Sequence, residues 1–242
     1  MGLSESQVIQ AQVTNPEALR GVCDGIDVVI SCLGITRQKD GIGYMDVDYQ
    51  ANLNLLEEAK RAGVKKFIYV SAFNAQHYSQ VRLLNAKERF AQHLLNSETI
   101  EACVIRPNGF FSDITEVYHM AKAGKVYVFG DGSTRLNPIH GQDLAKFCLE
   151  AIGRAETELS VGGPDILSIN EIANMAFLAQ HKQERVIHLP DRLRRLLLAI
   201  AKRLPEKWGG PTEFFLTMLA SDAIAPTYGG YRLESYFNQL AK

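Results

Sequence analysis

One tryptophan, eight prolines and four cysteines in 242 residues leave several protein classes without their raw material. Cys23, Cys32, Cys103 and Cys148 stand far apart and none makes a C-x-x-C pair, which excludes a zinc ribbon and a thioredoxin-type redox motif. Three of them lie in or beside apolar runs and read as buried free thiols, so a reducing, cytoplasmic setting is expected. No apolar run approaches the roughly 18 residues a spanning helix needs, so no transmembrane segment is expected. Residues 1–12 lack the charged start and long apolar middle of a secretion signal. Basic residues number 26 and acidic residues 27, a balance with no field to recruit nucleic acid. No metal site is expected either: His140 has no second ligand at a suitable spacing and reads as a turn or packing residue. Gly130-Asp131-Gly132 is followed by no G-K-[ST], so it reads as a tight turn and not a phosphate loop.

What is present is the mix of a soluble globular protein, 46% hydrophobic and 22% charged. Strand and helix signals alternate over the first 150 residues. Residues 7–13 (QVIQAQV) form a short strand candidate, and Asn15-Pro16 opens a helix to about Gly21. Residues 27–32 (DVVISC) and 67–70 (FIYV) are apolar on both faces, as buried parallel strands are. Between them, residues 44–62 carry a helical stripe of Val47, Ala51, Leu55, Ala59 and Ala62, closed by Gly63. A second long helix is predicted over 79–96, a strand over 102–105, a helix capped by Ser112 or Asp113 up to Gly124, a strand over 125–129 and a helix over 143–152. Ser168-Ile169-Asn170-Glu171 is a capping box, residues 186–189 a short strand, and 192–204, 212–221 and 232–240 helices. Strand–helix–strand units of this length imply right-handed crossovers between parallel strands. The fold class is therefore α/β, a Rossmann-like doubly wound parallel sheet over residues 1–155, with a small, mostly helical C-terminal lobe over 156–242.

Four segments carry a family resemblance. VDYQANLNLLEEAKRAGVKKFIYVSAFNA (47–75), IEACVIRPNGFFSD (100–113), NPIHGQDLA (137–145) and VGGPDILSINEIANMAF (161–177) resemble extended and atypical short-chain dehydrogenases, above all the NmrA-like group. The likeness runs along nearly the whole chain and implies an NAD or NADP cofactor. That family opens with a strand, a G-x-x-G-x-x-G loop and a helix, and the sequence holds no such loop. Gly41-Ile42-Gly43 follows the wrong strand and lacks the third glycine. The sheet is thus expected to be N-terminally truncated, without its first βαβ unit, and dinucleotide binding to be weak or lost. Strand 27–32 would then show a bare edge. Either residues 7–13 pair with it, or two chains pair as a homodimer, or the sequence is an incomplete product.

The resemblance also assigns roles. Lys87 sits where the family's Tyr-x-x-x-Lys lysine stands, but Leu83 replaces the proton-donating tyrosine. Lys87 falls on the apolar stripe Leu83, Lys87, Phe90, Leu94, so it must snorkel, pair or shift its pKa downward. It is the candidate to hold the cofactor ribose, and Ser71, ending a strand on its carboxyl side, to bond a substrate oxygen; a core-packed stem and a turn serine are the plain alternatives. Ser31, Cys32, Leu33 and Gly34 are expected along the diphosphate and ribose, with Ala72 and Phe73 beside them. Asn52 resembles the helix asparagine that holds a water or the active-site backbone, with a surface amide as the plain alternative. Pro107, Asn108, Gly109 and Phe110 are expected against the nicotinamide face, or as a simple connection. Two functions follow: an NAD(P)-dependent oxidoreductase reducing a small carbonyl or alkene, or a non-catalytic NmrA-like sensor or assembly factor on the same fold. Residues 192–204 (RLRRLLLAIAKRL) could lie in a membrane interface, but a lobe helix with leucines packed inward and arginines outside is the preferred reading.

Overall fold

A computed structural model describes residues 4, 7–36, 38 and 41–241. Its strands are β1 (Val28–Ser31), β2 (Lys66–Val70), β3 (Glu101–Pro107), β4 (Val126–Phe129), β5 (Arg135–Leu136), β6 (Glu158–Val161), β7 (Leu167–Ser168) and β8 (Val186–Leu189). Its α-helices are α1 (Asn52–Arg61), α2 (Arg82–Leu95), α3 (Phe111–Lys122), α4 (Gly141–Glu150), α5 (Ile169–Leu178), α6 (Asp191–Ala201), α7 (Glu206–Met218) and α8 (Leu233–Leu240).

The apolar runs seen in the sequence become a parallel sheet in the order β1-β2-β3-β6. Ile30 lies opposite Ile68, and Ile68 opposite Cys103. Successive side chains of a strand point to opposite faces, and β2 shows why both faces must be apolar. Phe67 and Tyr69 pack with Leu56 and Ala59 of α1 and with Phe90 and Leu94 of α2. Ile68 and Val70 pack with Leu144, Phe147 and Cys148 of α4 on the other side. Helices cover both faces, so the sheet is doubly wound. A second core joins α3, β4, α5 and α8 around Tyr118, Phe177 and Phe237. There β4 and β8 pair in parallel, and Ser168 and Glu171 close the expected capping box at 2.7 and 3.2 Å.

Three expectations change. Residues 7–13 form no strand. Gln7, Gln10 and Gln12 leave too little apolar surface for a buried face, and Val8 and Ile9 are exposed. The segment is tied to α1 by the Asn54 amide, which donates to the Val13 carbonyl at 3.2 Å. Among the described residues β1 pairs with β2 alone. Next, the helix expected after Asn15 is a single 3-10 turn, Pro16–Leu19, capped by Asn15. Last, the long helix of 44–62 is π-wound over Met45–Ala51 before α1 begins. A π turn holds an extra residue. The buried face therefore runs Tyr44, Asp48, Asn52, Leu56, Ala59, while Val47 and Leu55 of the expected stripe are half-buried.

Two charged anchors hold the layers. Arg106, buried in β3, donates to Glu88 of α2 at 2.6 Å and to Glu158 of β6 at 2.6 and 2.9 Å. Arg82 at the start of α2 binds Glu213 of α7 at 2.7 Å and the carbonyls of Leu204 and Ala201. Glycine lets α7 come close: a Cβ at Gly209 would lie 2.1 Å from the Ala201 carbonyl oxygen, and one at Gly210 2.6 Å from the Tyr44 ring. The preferred reading of α6 holds only in part. Arg192 and Arg195 are exposed as expected, but Leu196 and Ile200 face solvent too, and Arg194 is buried with Ala201, donating to Asp191 at 2.6 Å and to the Leu216 carbonyl at 2.8 Å. The arginine is drawn inward because α7 offers it a carbonyl that no leucine could satisfy.

Removing one partner of a buried pair leaves the other charge uncompensated. Arg106→Ala should lower stability by about 3 kcal/mol, read from the urea midpoint; a midpoint unchanged from the parent would show Glu88 to be adequately solvated without it.

Candidate active site

Three strands of a parallel sheet end side by side, and open α/β sheets bind ligands at these carboxyl ends. β1 delivers Ser31 and the loop Cys32, Leu33 and Gly34; β2 delivers Ser71, Ala72 and Phe73; β3 delivers Pro107 and the loop Asn108, Gly109 and Phe110. Main-chain bonds keep the ends level: the Ser71 amide donates to the Ile105 carbonyl at 2.8 Å, and the Phe73 amide to Pro107 at 2.9 Å. The sequence-derived residues are thus brought to one edge.

Lys87 is paired. Its ammonium lies 2.8 Å from Oδ1 of Asp48, which is fully buried, while Oδ2 accepts the Ile35 amide at 3.2 Å. Burial opposes the charge on Lys87, but Tyr69 and Asp48 outweigh it, and the ammonium is held above the ordinary lysine range. The downward shift that burial alone would give is absent. Burial raises the Asp48 carboxyl, and Lys87 works against that rise. Tyr69, buried in β2 with its hydroxyl lacking a well-formed hydrogen bond, is pushed up to about 12 by burial despite the nearby ammonium. Gly34 lies directly over the pair: a Cβ there would sit 2.6 Å from Asp48 Oδ1 and 2.7 Å from Lys87 Nζ. No side chain fits between the β1 loop and the charges beneath it.

Asn52 holds the neighbouring backbone. Its amide donates to the carbonyls of Leu33 at 3.3 Å, Val47 at 3.2 Å and Asp48 at 3.1 Å, and its Oδ1 accepts the Ser31 hydroxyl at 2.5 Å. The residue is fully buried, so a surface amide is excluded. Ser71 is buried as well, and its Oγ, like the Tyr69 hydroxyl, has no hydrogen-bond partner among the described residues.

The β3 loop is engaged elsewhere. Asn108 donates to Asn137 Oδ1 at 2.8 Å and to the Ala223 carbonyl at 2.5 Å; Asn137 in turn holds Ala225 through both its side-chain groups. These asparagines staple the segment before α8 across the sheet end. Leu83 packs with Tyr44 and Ala86 in a small apolar cluster, which is what its side chain would do in place of a tyrosine. His140 accepts the Gln142 amide at 3.2 Å and stacks on Tyr231, as a turn residue. Among the described residues no cluster of histidine, cysteine and acidic side chains could hold a metal, and no helix is long and apolar enough to cross a membrane.

Sequence reasoning missed Asp48 and Tyr69. Asp48 stands four residues before Asn52, a polar pair on one helical face that could have pointed to a shared buried site. Tyr69 lies inside an apolar run and carries no such signal.

Comparison with known proteins places this geometry. The pattern of the NAD(P)H-binding family matches residues 3–155. Divinyl chlorophyllide a 8-vinyl-reductase of Oryza sativa subsp. indica is 29% identical, over 99% of this chain and 67% of that protein. Photosystem II assembly factor Ycf39 of Guillardia theta is 28% identical, over 78% of this chain and 56% of its own length. NADPH-dependent quinone oxidoreductase of Escherichia coli, solved with NADPH, superposes with a TM-score of 0.69 at 16% identity, over 98% of this chain and 85% of that one.

Lys87→Met removes the positive charge that opposes the burial of Asp48 at close range. A carboxyl raised in the folded state binds more protons there than when unfolded, so stability falls as pH rises through its raised range. The variant should therefore lose more stability than the parent as pH climbs from the ordinary carboxylate range to neutrality. Urea titrations at acidic and neutral pH measure this, and parallel curves for the two proteins would mean Asp48 is stabilised by other groups.

Proposed function

The chain belongs to the NAD(P)H-binding family, an oxidoreductase-type family on the Rossmann-like fold, and on that premise we propose that the carboxyl ends of β1, β2 and β3 hold the nicotinamide half of NAD(P)H for reduction of a small carbonyl or alkene. The observation that carries this is Ser71: a buried hydroxyl without a partner, at the end of a central parallel strand, is where a ligand oxygen is needed. When bound, NAD(P)H supplies hydride. Ser71 would then donate to the substrate oxygen or to the carboxamide, and Lys87 would orient the ribose with the donors that Asp48 leaves free. Ser31, Asn52 and Gly34 fix the loop beside it, with Cys32 and Leu33 lending backbone. Ala72, Phe73, Pro107, Gly109 and Phe110 would exclude water, and Asn108 would act as the staple of that wall. Residues 1–155 supply the cofactor side in this reading and residues 156–242 the substrate side. The vinyl reductase of rice favours an alkene.

A second reading has its own support. Leu83 is in an apolar cluster and the Lys87 ammonium is already committed to Asp48, so no acid stands where the family's tyrosine gives its proton. This favours a non-catalytic sensor or assembly role, like that in the name of the Guillardia theta relative. The four cysteines are all free, which supports a reducing compartment such as the cytoplasm.

Isothermal titration of the 242-residue chain should give NADPH or NADH binding weaker than low micromolar, because the sequence holds no glycine-rich loop for the diphosphate. Ser71→Ala should cut turnover of a carbonyl or alkene at least about tenfold. Unchanged affinity and turnover in that variant would sink the catalytic reading, and NADPH binding with no oxidation across a carbonyl and alkene panel would establish the second.

Among the described residues β1 pairs with β2 alone, and that free edge supports self-association as a homodimer. Sedimentation velocity over a wide concentration range should reveal a dimer; a monomer throughout would remove this proposal.

A further inference from the structure

The helix whose leucines face outward has no role in the cofactor reading. At 100° per residue, Leu193, Leu196, Leu197 and Ile200 of α6 fall within about 100° of one another, and all four are exposed. Leu204, just past the end of α6, and Trp208, in the first turn of α7, are exposed too, Trp208 by 69%. One flank of the strip is basic: Arg192, Arg195, Lys202, Arg203 and Lys207 are exposed. The nearby acids are spent, since Asp191 pairs with Arg194 and Arg195, and Glu206 accepts the Tyr44 amide at 2.8 Å. A chain with net charge -1 thus gathers basic residues along one apolar helix, and Arg192, Lys202, Arg203 and Lys207 have no acidic partner among the described residues.

We propose that α6 and the first turn of α7, which carries Trp208, dock this protein on an anionic lipid surface. The strip is the outer face of a helix, carries an exposed tryptophan and is edged by arginine and lysine. That is the chemistry of a helix lying at the boundary of headgroups and acyl chains. Long basic side chains reach the headgroups while leucines enter the acyl region. With 11 residues α6 is too short to span, so it lies on the surface. The inner face is already fixed by the Arg194 bonds to Asp191 and Leu216, so docking needs no rearrangement of the fold.

Trp208 is the sole tryptophan, so the emission of the whole chain reports on this strip. Mixed with vesicles of phosphatidylglycerol and phosphatidylcholine, the chain should blue-shift, co-sediment, and be quenched by brominated acyl chains. Vesicles of phosphatidylcholine alone, or high salt, should weaken binding at least about tenfold. The double variant Leu196→Ser with Ile200→Ser, both solvent-facing and so expected to keep the parent's circular dichroism, should weaken it by at least about tenfold too. Arg192→Glu with Arg203→Glu should abolish the preference for anionic lipid. An unchanged spectrum with every vesicle, or equal binding to neutral and anionic ones, would overturn the proposal. So would a vesicle-free blue shift that grows with protein concentration and vanishes in the leucine variant, which would assign the strip to a second copy of this chain.

Discussion

An ammonium and a carboxylate can share a dry interior when each satisfies the other and the remaining lone pairs find donors. Asp48 meets both terms, with Lys87 on one oxygen and the Ile35 amide on the other. The rest of the site is arranged around that pair. The β1 loop must have glycine at position 34 to pass over it, the π turn must deliver Asp48 inward, and Tyr69 must accept a position in the field of the ammonium. Lys87 is therefore held in one place and kept charged.

The asparagines act as internal backbone substitutes. Asn52 gathers three carbonyls and a hydroxyl at the end of β1, and Asn137 with Asn108 does the same for the segment before α8. Irregular backbone beside a ligand site leaves polar groups that no ladder satisfies, and buried amides are the cheapest way to pair them. This frees the loops to follow the shape of the site. Ser71 Oγ and the Tyr69 hydroxyl, both on β2 or at its end, are left over beside these paired groups.

Much of the sheet was legible in the sequence because buried parallel strands are apolar on both faces, and 27–32 and 67–70 admit no other environment. The shared position of Lys87 and the strand-end residues at one edge of the sheet was legible through their resemblance to a family. What escaped was fixed by tertiary partners. The phase of the 44–62 helix changed because an extra residue was wound in, which leaves no mark on hydrophobic spacing. Residues 7–13 alternate like a strand, yet bury too little to hold one. The face of α6 could not be read because both faces carry leucine and arginine at helical spacing, and only the Leu216 carbonyl decides which side is inside.

The π-wound stretch sets a length as well as a phase. A loop or a surface helix accepts a missing residue with little harm, but this segment does not: shortening it by one at its present winding would swing every following side chain by about 100°. Asp48 and Asn52 could not then both reach their partners. Met45–Ala51 is thus a stretch where insertions and deletions are far more damaging than substitutions, and the register of the lysine pair is counted out in residues along it.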